Sequence, residues 1–306
     1  MVFTDLLAWA VIVLFLSTVI VDRFHRKAAR FLAGSVWALF GIFWGLLFPK
    51  FAFGMHSFIE GTLSLIAVPA CIYVGWLHIQ GRDSLFVITR SVAFMGLIYA
   101  PFMMIEPLRQ WIVETVAYQV HFLIEILGYN PEFIVHQETG YKSKFVFHSE
   151  SGTYATFIIL ACTGIGSMAV FGGVIAALDA PIGRKLRGLA LALPIIYVLN
   201  LFRNAFIAIA FGKQWFQIYV PIIQDIVGYQ HPGLVSFFIA DRVISQSLSL
   251  LALLAITAMI IRVLPEVTVI IEELLFILTG NEYNFEGDNG SGGSVIPHST
   301  VQSAGK

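Results

Sequence analysis

The sequence predicts an all-α fold, a polytopic integral membrane helical bundle with about seven transmembrane helices. Of the 306 residues, 58% are hydrophobic and only 12% are charged, and the mean hydropathy is +0.83, which excludes a soluble domain of this length. The apolar runs are continuous and do not alternate with polar residues, so they favour helices over the strands of a membrane barrel. The formal net charge of −1, with no basic stretch interleaved with aromatic residues, gives no indication of nucleic acid binding.

Seven apolar runs have about the length that a helix needs to cross a bilayer. The first run lacks both a basic start and a small-residue cleavage site, so we expect a retained helix there and not a signal peptide. The runs cover residues 5–21, 31–49, 60–79, 91–106, 154–178, 188–211 and 233–263.

Basic residues follow the first, third and fifth runs, which places them in alternate connections on one side of the membrane. By the positive-inside rule that side is cytoplasmic. The N-terminus is therefore expected outside the cell and the C-terminus inside it. The residues that set this orientation are Arg23, Arg26, Lys27, Arg30, Arg82, Arg90, Arg184, Lys185 and Arg187.

The connection at 107–153 predicts a small extracellular cap made of a helix and a hairpin. Apolar residues recur at helical spacing over 108–127, which indicates an amphipathic helix lying on the membrane or on other helices; a short additional span is the alternative. Residues 132–149 alternate in part around a Glu-Thr-Gly-Tyr turn, which is typical of a β-hairpin.

The chain after the last run predicts a short helix and then disorder. Pro265 ends the run, and a helix over Val267–Leu278 would carry three carboxylates near the membrane: Glu266, Glu272 and Glu273. We expect one membrane domain over residues 1–280, with its site-bearing part at 150–263. The tail at 281–306 is rich in Gly, Ser and Asn and is expected to be disordered.

A candidate catalytic site combines Cys162 with two arginines, Arg203 and Arg242, that lie within apolar runs. Placing an arginine within the membrane costs about 2.5 kcal/mol or more of insertion free energy, so such a residue seldom occurs without an ion-pair partner or a functional role. From the rise of a helix, all three residues are expected to lie about 12–14 Å below the outer boundary of the membrane. A nearby cation favours the reactive thiolate, and a second cation can stabilise an oxyanion.

Five further polar residues could bind substrate or support this site. In membrane helices such residues more often make helix–helix hydrogen bonds. They are Thr163, Asn200, Asn204, Asp241 and His231. The chain has no CxxC and no HExxH, so neither a metal nor another cofactor is predicted.

Three segments together resemble the archaeosortase/exosortase family of integral membrane transpeptidases. They are Ala-Cys-Thr-Gly-Ile-Gly-Ser-Met at 161–168, Asn-Leu-Phe-Arg-Asn at 200–204 and Ala-Asp-Arg at 240–242, which follows His-Pro-Gly at 231–233. Bacterial exosortases generally have histidine at the third site position, so Arg242 is similar to the archaeosortase branch. The resemblance is strongest over about 150–263.

The resemblance implies a cysteine transpeptidase that processes secreted archaeal proteins ending in a PGF-type signal, a transmembrane helix and a basic tail. Cys162 would form a thioester with the substrate, and a lipid amine, such as an ethanolamine headgroup, would resolve it. Arg203 would hold the carbonyl or its oxyanion, and Arg242 would take the place of the exosortase histidine. Hydrolysis of the same thioester stays open. The alternative is a transporter or lipid-binding protein whose arginines hold an anionic group.

Overall fold

The computed structural model describes residues 2–54, 58–149, 152–227, 231–285 and 294–296. Within that part of the chain, five helices are long and apolar enough to cross a membrane, and two shorter apolar helices cover Leu6–Asp22 and Ile165–Ala177. The predicted class, an α-helical membrane protein, is confirmed. The count of seven spans is not confirmed, because five of the described helices combine the length and the apolar composition that crossing a bilayer requires.

The described helices are α1 (Val2–Asp22), α2 (Arg26–Pro49), α3 (Phe58–Gln80), α4 (Phe86–Met104), α5 (Glu106–Ile126), α6 (Ile165–Ala177), α7 (Ile182–Gly212), α8 (Val220–Val227), α9 (Leu234–Phe238), α10 (Gln246–Val263) and α11 (Val267–Thr279). The strands are β1 (Glu132–Val135), β2 (Lys142–Ser149), β3 (Gly152–Phe157), β4 (Glu282–Asn284) and β5 (Ser294–Ile296). A 3-10 turn at Leu160–Thr163 precedes α6, and a π-helical turn at Ile239–Ser245 joins α9 to α10.

The chain divides into two compact units. The first comprises residues 1–98, 172–185 and 264–306, and the second comprises 99–171 and 186–263. In the first unit, α2 and α3 approach each other through glycine: a Cβ on Gly75 would lie 2.8 Å from the carbonyl oxygen of Gly34. Close helix approach through small residues is how membrane helices gain packing contacts without a hydrophobic drive.

The second unit has a core in which α5, the three-stranded sheet and α7 meet. The order in that sheet is β1-β2-β3, and both pairings are antiparallel. One face of α5 packs on the inward side chains of β2 and on α7, which confirms both the amphipathic helix and the hairpin. The core residues are Ile112, Val113, Val116, Ala117, Val120, Ile124, Tyr141, Phe145, Phe147, Ile158, Ala205, Ala208 and Ile209.

The prediction of one helix over 154–178 is wrong. Tyr154 and its neighbours form β3, which pairs with β2, and α6 begins only at Ile165. Residues such as Thr153, Tyr154 and Thr156 favour strands, and β2 supplies the hydrogen-bonding partner that hydropathy alone cannot reveal. Because a strand and a turn separate Tyr154 from Cys162, the depth that we assigned to the cysteine from helical rise does not hold.

The carboxylates near the C-terminus are engaged within the first unit. Glu273 is 6% exposed and forms a salt bridge with Arg82, and Glu266 pairs with Arg184 at 2.7 Å. Strands β4 and β5 form an antiparallel ribbon, while the rest of the predicted disordered tail, 286–293 and 297–306, lies outside the described residues.

Candidate active site

Cys162 lies in the 3-10 turn that leads into α6. Thr163 is fully buried and closes this turn: its hydroxyl donates to the Leu160 carbonyl at 2.7 Å and accepts the backbone N–H of Ile165 at 3.4 Å. Thr163 therefore supports the turn, as a serine or threonine commonly does at the start of a helix. The half-buried cysteine lies three residues before Ile165, the first residue of α6, and the dipole of that helix favours negative charge near its N-terminal end.

Two asparagines of α7 bind the backbone of the cysteine. The side-chain amides of Asn200 and Asn204 each donate to the Cys162 carbonyl at 2.7 Å. The Asn204 amide also donates to the Asn200 carbonyl at 2.9 Å. Residues four apart lie on one face of a helix, so the spacing in the sequence puts both amides in reach of one acceptor. The turn is thereby attached to α7 at the residue that carries the thiol.

Gly164 makes this attachment possible. Its backbone is left-handed, with φ of +79°, which ends the turn at little cost only for glycine. A Cβ at this position would lie 3.1 Å from Cγ of Asn200 and 3.2 Å from its Nδ2. Any other side chain would push on the amide that binds the cysteine.

The two arginines share one carboxylate. Arg203 Nη2 lies 2.6 Å from Asp241 Oδ1, and Arg242 Nε lies 3.5 Å from Asp241 Oδ2. Asp241 is largely buried, with its side chain 13% exposed, so its charge depends on these partners. The π-helical turn holds Asp241 and Arg242, a backbone form that often occurs at functional sites. Arg203, Asp241 and Arg242 all lie near enough to interact electrostatically with the Cys162 thiol.

The structure thus brings seven of the eight predicted site residues together at the cysteine turn. Two lie within the turn itself, Cys162 and Thr163, and the other five are Asn200, Arg203, Asn204, Asp241 and Arg242. The eighth, His231, is different. Its ring is exposed, and its carbonyl accepts the N–H of Leu234 at the start of α9. Nothing in the described part of the chain links its imidazole to the thiol.

Cavities border the cysteine turn on several sides. One of about 390 Å³ is lined by Ala161, Gly164, Asn200 and Arg203. Another of about 410 Å³ is bounded by Leu160 and Ala161 and carries polar groups of the cap, namely Glu106, Arg109, Glu138 and Tyr141. A third, of about 370 Å³, runs between α7 and α10. These cavities could not be predicted from the sequence, because they depend on the distances between packed elements.

This arrangement suits nucleophilic chemistry. Burial of the thiol opposes its ionisation, and the neighbouring guanidinium groups of Arg203 and Arg242 act in the other direction; arginine is also a strong donor to a developing oxyanion. The carboxylate of Asp241 offsets part of that positive charge and fixes where the guanidinium groups lie.

Comparison with known proteins agrees with this arrangement. The profile of the family described as Transmembrane exosortase matches residues 4–240, which include Cys162 and Arg203 and end just before Asp241. Archaeosortase A of Haloferax volcanii is 44% identical over 297 residues, covering 94% of this chain and 98% of that protein. Archaeosortase A of Natronomonas pharaonis is 44% identical over 282 residues, covering 90% and 89%.

No solved structure matches the chain. The family match nevertheless covers well over half of the sequence, and the two relatives are aligned along almost their whole length. The protein is an archaeosortase-type membrane protein, and the chain belongs to the transmembrane exosortase family.

Proposed function

We propose that this protein is a membrane-embedded cysteine transpeptidase that cleaves a C-terminal PGF-type sorting signal from secreted proteins and transfers them to a lipid amine. The observation that carries the proposal is the double attachment of the Cys162 carbonyl to Asn200 and Asn204, beside the Arg203–Asp241–Arg242 group. A cysteine that only fills space in a packed helix needs neither a dedicated pair of amide donors nor two cations.

The first half of the proposed reaction forms a thioester. The Cys162 thiolate attacks the carbonyl carbon of the scissile peptide, and the guanidinium group of Arg203 stabilises the oxyanion. The C–N bond then breaks, and the proton given up by the thiol ends on the leaving amine. Arg242 favours the thiolate electrostatically; arginine stays protonated and is a poor acid or base, so it carries no proton in this scheme.

The second half releases the product. The amine of the acceptor lipid attacks the thioester carbonyl, the new C–N bond forms, and the C–S bond breaks. The proton lost by the amine returns to the sulfur, so the enzyme is regenerated without a net change in oxidation state. Water attacking the same thioester would give hydrolysis instead.

The test is processing of a candidate substrate by variants at the two cysteines. Cys162→Ala should abolish processing because it removes the nucleophile. Cys162→Ser should do the same, because an alkoxide is far harder to generate than a thiolate. Cys71→Ala should remain active, since Cys71 is buried in the α2–α3 packing of the first unit. Mass spectrometry of the new C-terminus distinguishes a lipid amide from a free carboxylate. Full processing by Cys162→Ala would reject the proposal and favour a transporter or lipid-binding protein.

A further inference from the structure

The strand that leads to the cysteine, β3, pairs on one side only. It bonds to β2, and no strand of the described chain lies on its other side. In an antiparallel pair, alternate residues direct their backbone N–H and C=O groups at the partner strand. The Ile158 N–H donates to the Ser143 carbonyl at 2.9 Å, which fixes the phase of this alternation. The residues that direct these groups outward are therefore Thr153, Ala155 and Phe157, and we refer to their backbone groups as the β3 edge.

The β3 edge lacks the features that keep strand edges from pairing. Natural sheets protect their edges with charged side chains, proline or β-bulges. At the opposite side of this sheet, β1 has an irregular register between Ile134 and Val135. In contrast, β3 keeps a regular register over Gly152–Phe157 and contains neither a charged residue nor a proline. Phe157 is 44% exposed, so the end of the edge nearest the cysteine is accessible.

The β3 edge continues into the cysteine turn. Ile159 still has an extended backbone, with φ of −117° and ψ of 172°, and its carbonyl accepts the N–H of Cys162 at 2.8 Å. A chain paired along β3 is thereby directed at the residue that carries the thiol. Donors and acceptors that alternate along a strand edge are matched by the backbone of an extended polypeptide, as in peptides that bind by adding a strand to a sheet.

The direction of such a chain follows from the position of the nucleophile. Cys162 lies beyond the C-terminal end of β3. In the proposed reaction the sulfur bonds to the carbonyl at the C-terminal end of the retained segment. That segment therefore has to run in the same direction as β3, which makes the added strand parallel.

We infer that the β3 edge binds the residues that precede the scissile bond as an extended strand, added parallel to β3. This inference rests on the proposed function, because it takes the cleaved chain to be the occupant. It assigns substrate positioning to backbone groups of the cap sheet, which no side-chain motif in the sequence marks.

Crosslinking measures the register of the two chains without any catalysis. The chain has only two cysteines, so a Cys71→Ala, Cys162→Ala background can carry one new cysteine, at Thr153 or at Phe157. The probe is a candidate substrate with one cysteine placed at successive positions before the sorting signal. Thr153 and Phe157 are four residues apart. The substrate position that crosslinks best should therefore move four residues toward the scissile bond between Thr153→Cys and Phe157→Cys, because both strands rise about 3.3 Å per residue.

The other crosslinking results would each overturn the inference. A helical occupant, with a rise of about 1.5 Å per residue, would move by about nine residues. An antiparallel strand would move by four residues in the opposite direction. Disulfide-linked dimers that form without substrate would assign the edge to a second copy of the chain. Processing by Cys162→Ala would instead reject the proposed function, whereas loss of the register alone leaves that function standing.

A pair of variants at Ala155 tests the same edge by activity. Ala155→Pro removes an outward N–H and leaves the ladder to β2 intact, since proline is tolerated where the N–H of an edge strand has no partner. It should lower kcat/KM for processing by about tenfold, chiefly through KM. Ala155→Val keeps the N–H and favours a strand, so it should stay within about twofold of wild type. Equal rates for the two variants would show that the edge does not bind the substrate backbone.

Discussion

At the scale of single residues, the position of the thiol depends on Gly164. This glycine provides the left-handed backbone that ends the 3-10 turn, and it leaves room for the Asn200 amide. Both requirements act on the same peptide segment, so one added methyl group would affect the turn and the amide together.

Replacing Gly164 by alanine should reduce processing by at least about tenfold. The positive φ costs a residue with a Cβ about 1–2 kcal/mol, and the methyl group would also displace Asn200 from the Cys162 carbonyl. Gly166→Ala is the matched control, since a Cβ there meets nothing within 4 Å. The measurement is the rate of substrate processing at equal protein level in the membrane. Similar rates for the two variants would show that the geometry of the turn does not matter.

Residue types carried much of the site prediction. The energetic cost of Arg203 and Arg242 in apolar runs identified them without any structure, and the spacing of three residues predicted that Asn200 lies one turn from Arg203 on the same helix face. The role of Thr163 could not be predicted, because its hydrogen bonds exist only in a 3-10 turn that the sequence analysis took for a helix.

At the scale of elements, the site joins α7 to the π-helical turn before α10. The contact that joins them is the ion pair of Arg203 with Asp241, which also fixes the guanidinium group relative to the thiol. An arginine can bind this carboxylate and still direct another N–H at a substrate oxygen, because its donors form a planar fork.

Arg203→Lys should therefore lose most of its processing activity, by about tenfold or more, although the charge is kept. A lysine ammonium group lacks the planar fork of donors, so it would bind Asp241 or the substrate carbonyl but not both in the same geometry. Asp241→Asn serves as a companion variant that preserves shape and removes the carboxylate charge. The readout is single-turnover thioester formation followed by mass spectrometry. Near-wild-type rates for Arg203→Lys would show that only positive charge is needed at that position.

Helices were predicted well and the strand β3 was not. Residues 153–157 are apolar enough to extend a membrane run, and their strand partner β2 is identifiable only after the chain has folded back. The agreement in depth among Cys162, Arg203 and Arg242 was derived from a continuous helix, so that derivation was wrong even though the three residues do lie near one another.

At the scale of the whole molecule, the first unit is held at its end by an arginine with two carboxylate partners. Arg82 binds Glu273 through Nε at 2.8 Å and Glu282 through Nη1 at 2.6 Å, and it stacks on the ring of Phe276. Burial opposes the charge of Arg82, but hydrogen bonds to Glu282 and Glu273 outweigh it and raise the pKa of the guanidinium group. This cluster attaches α11 to the connection between α3 and α4.

Glu273→Gln should lower the free energy of unfolding by about 2 kcal/mol, because a largely buried charged hydrogen bond is replaced by a weaker one. The expected result is a lower midpoint of thermal unfolding in detergent, with unchanged processing at low temperature. Glu272→Gln, whose carboxylate accepts a backbone N–H from Phe285, should have a smaller effect. A loss of processing with unchanged stability would instead indicate that Glu273 acts on the substrate and not on the attachment of α11.

The composition was enough to predict a helical membrane protein. It did not predict how the helix near the C-terminus, α11, packs on the rest of the first unit. Hydropathy identified the membrane helices because the bilayer imposes the same requirement on each of them. It could not reveal that Glu273 is buried against Arg82, since the two residues are 191 positions apart and pair only through the packing of α11 on α3.

The two amide donors on the Cys162 carbonyl also give this site a spectroscopic signature. Hydrogen bonds polarise the acceptor, and a carbonyl with two of them vibrates at a lower frequency than one with a single partner. An isotope label placed on that one carbonyl would shift its absorption away from the infrared band of the other backbone carbonyls. The infrared band would then report whether the thiol-bearing turn is attached to α7, in a resting enzyme and without any substrate.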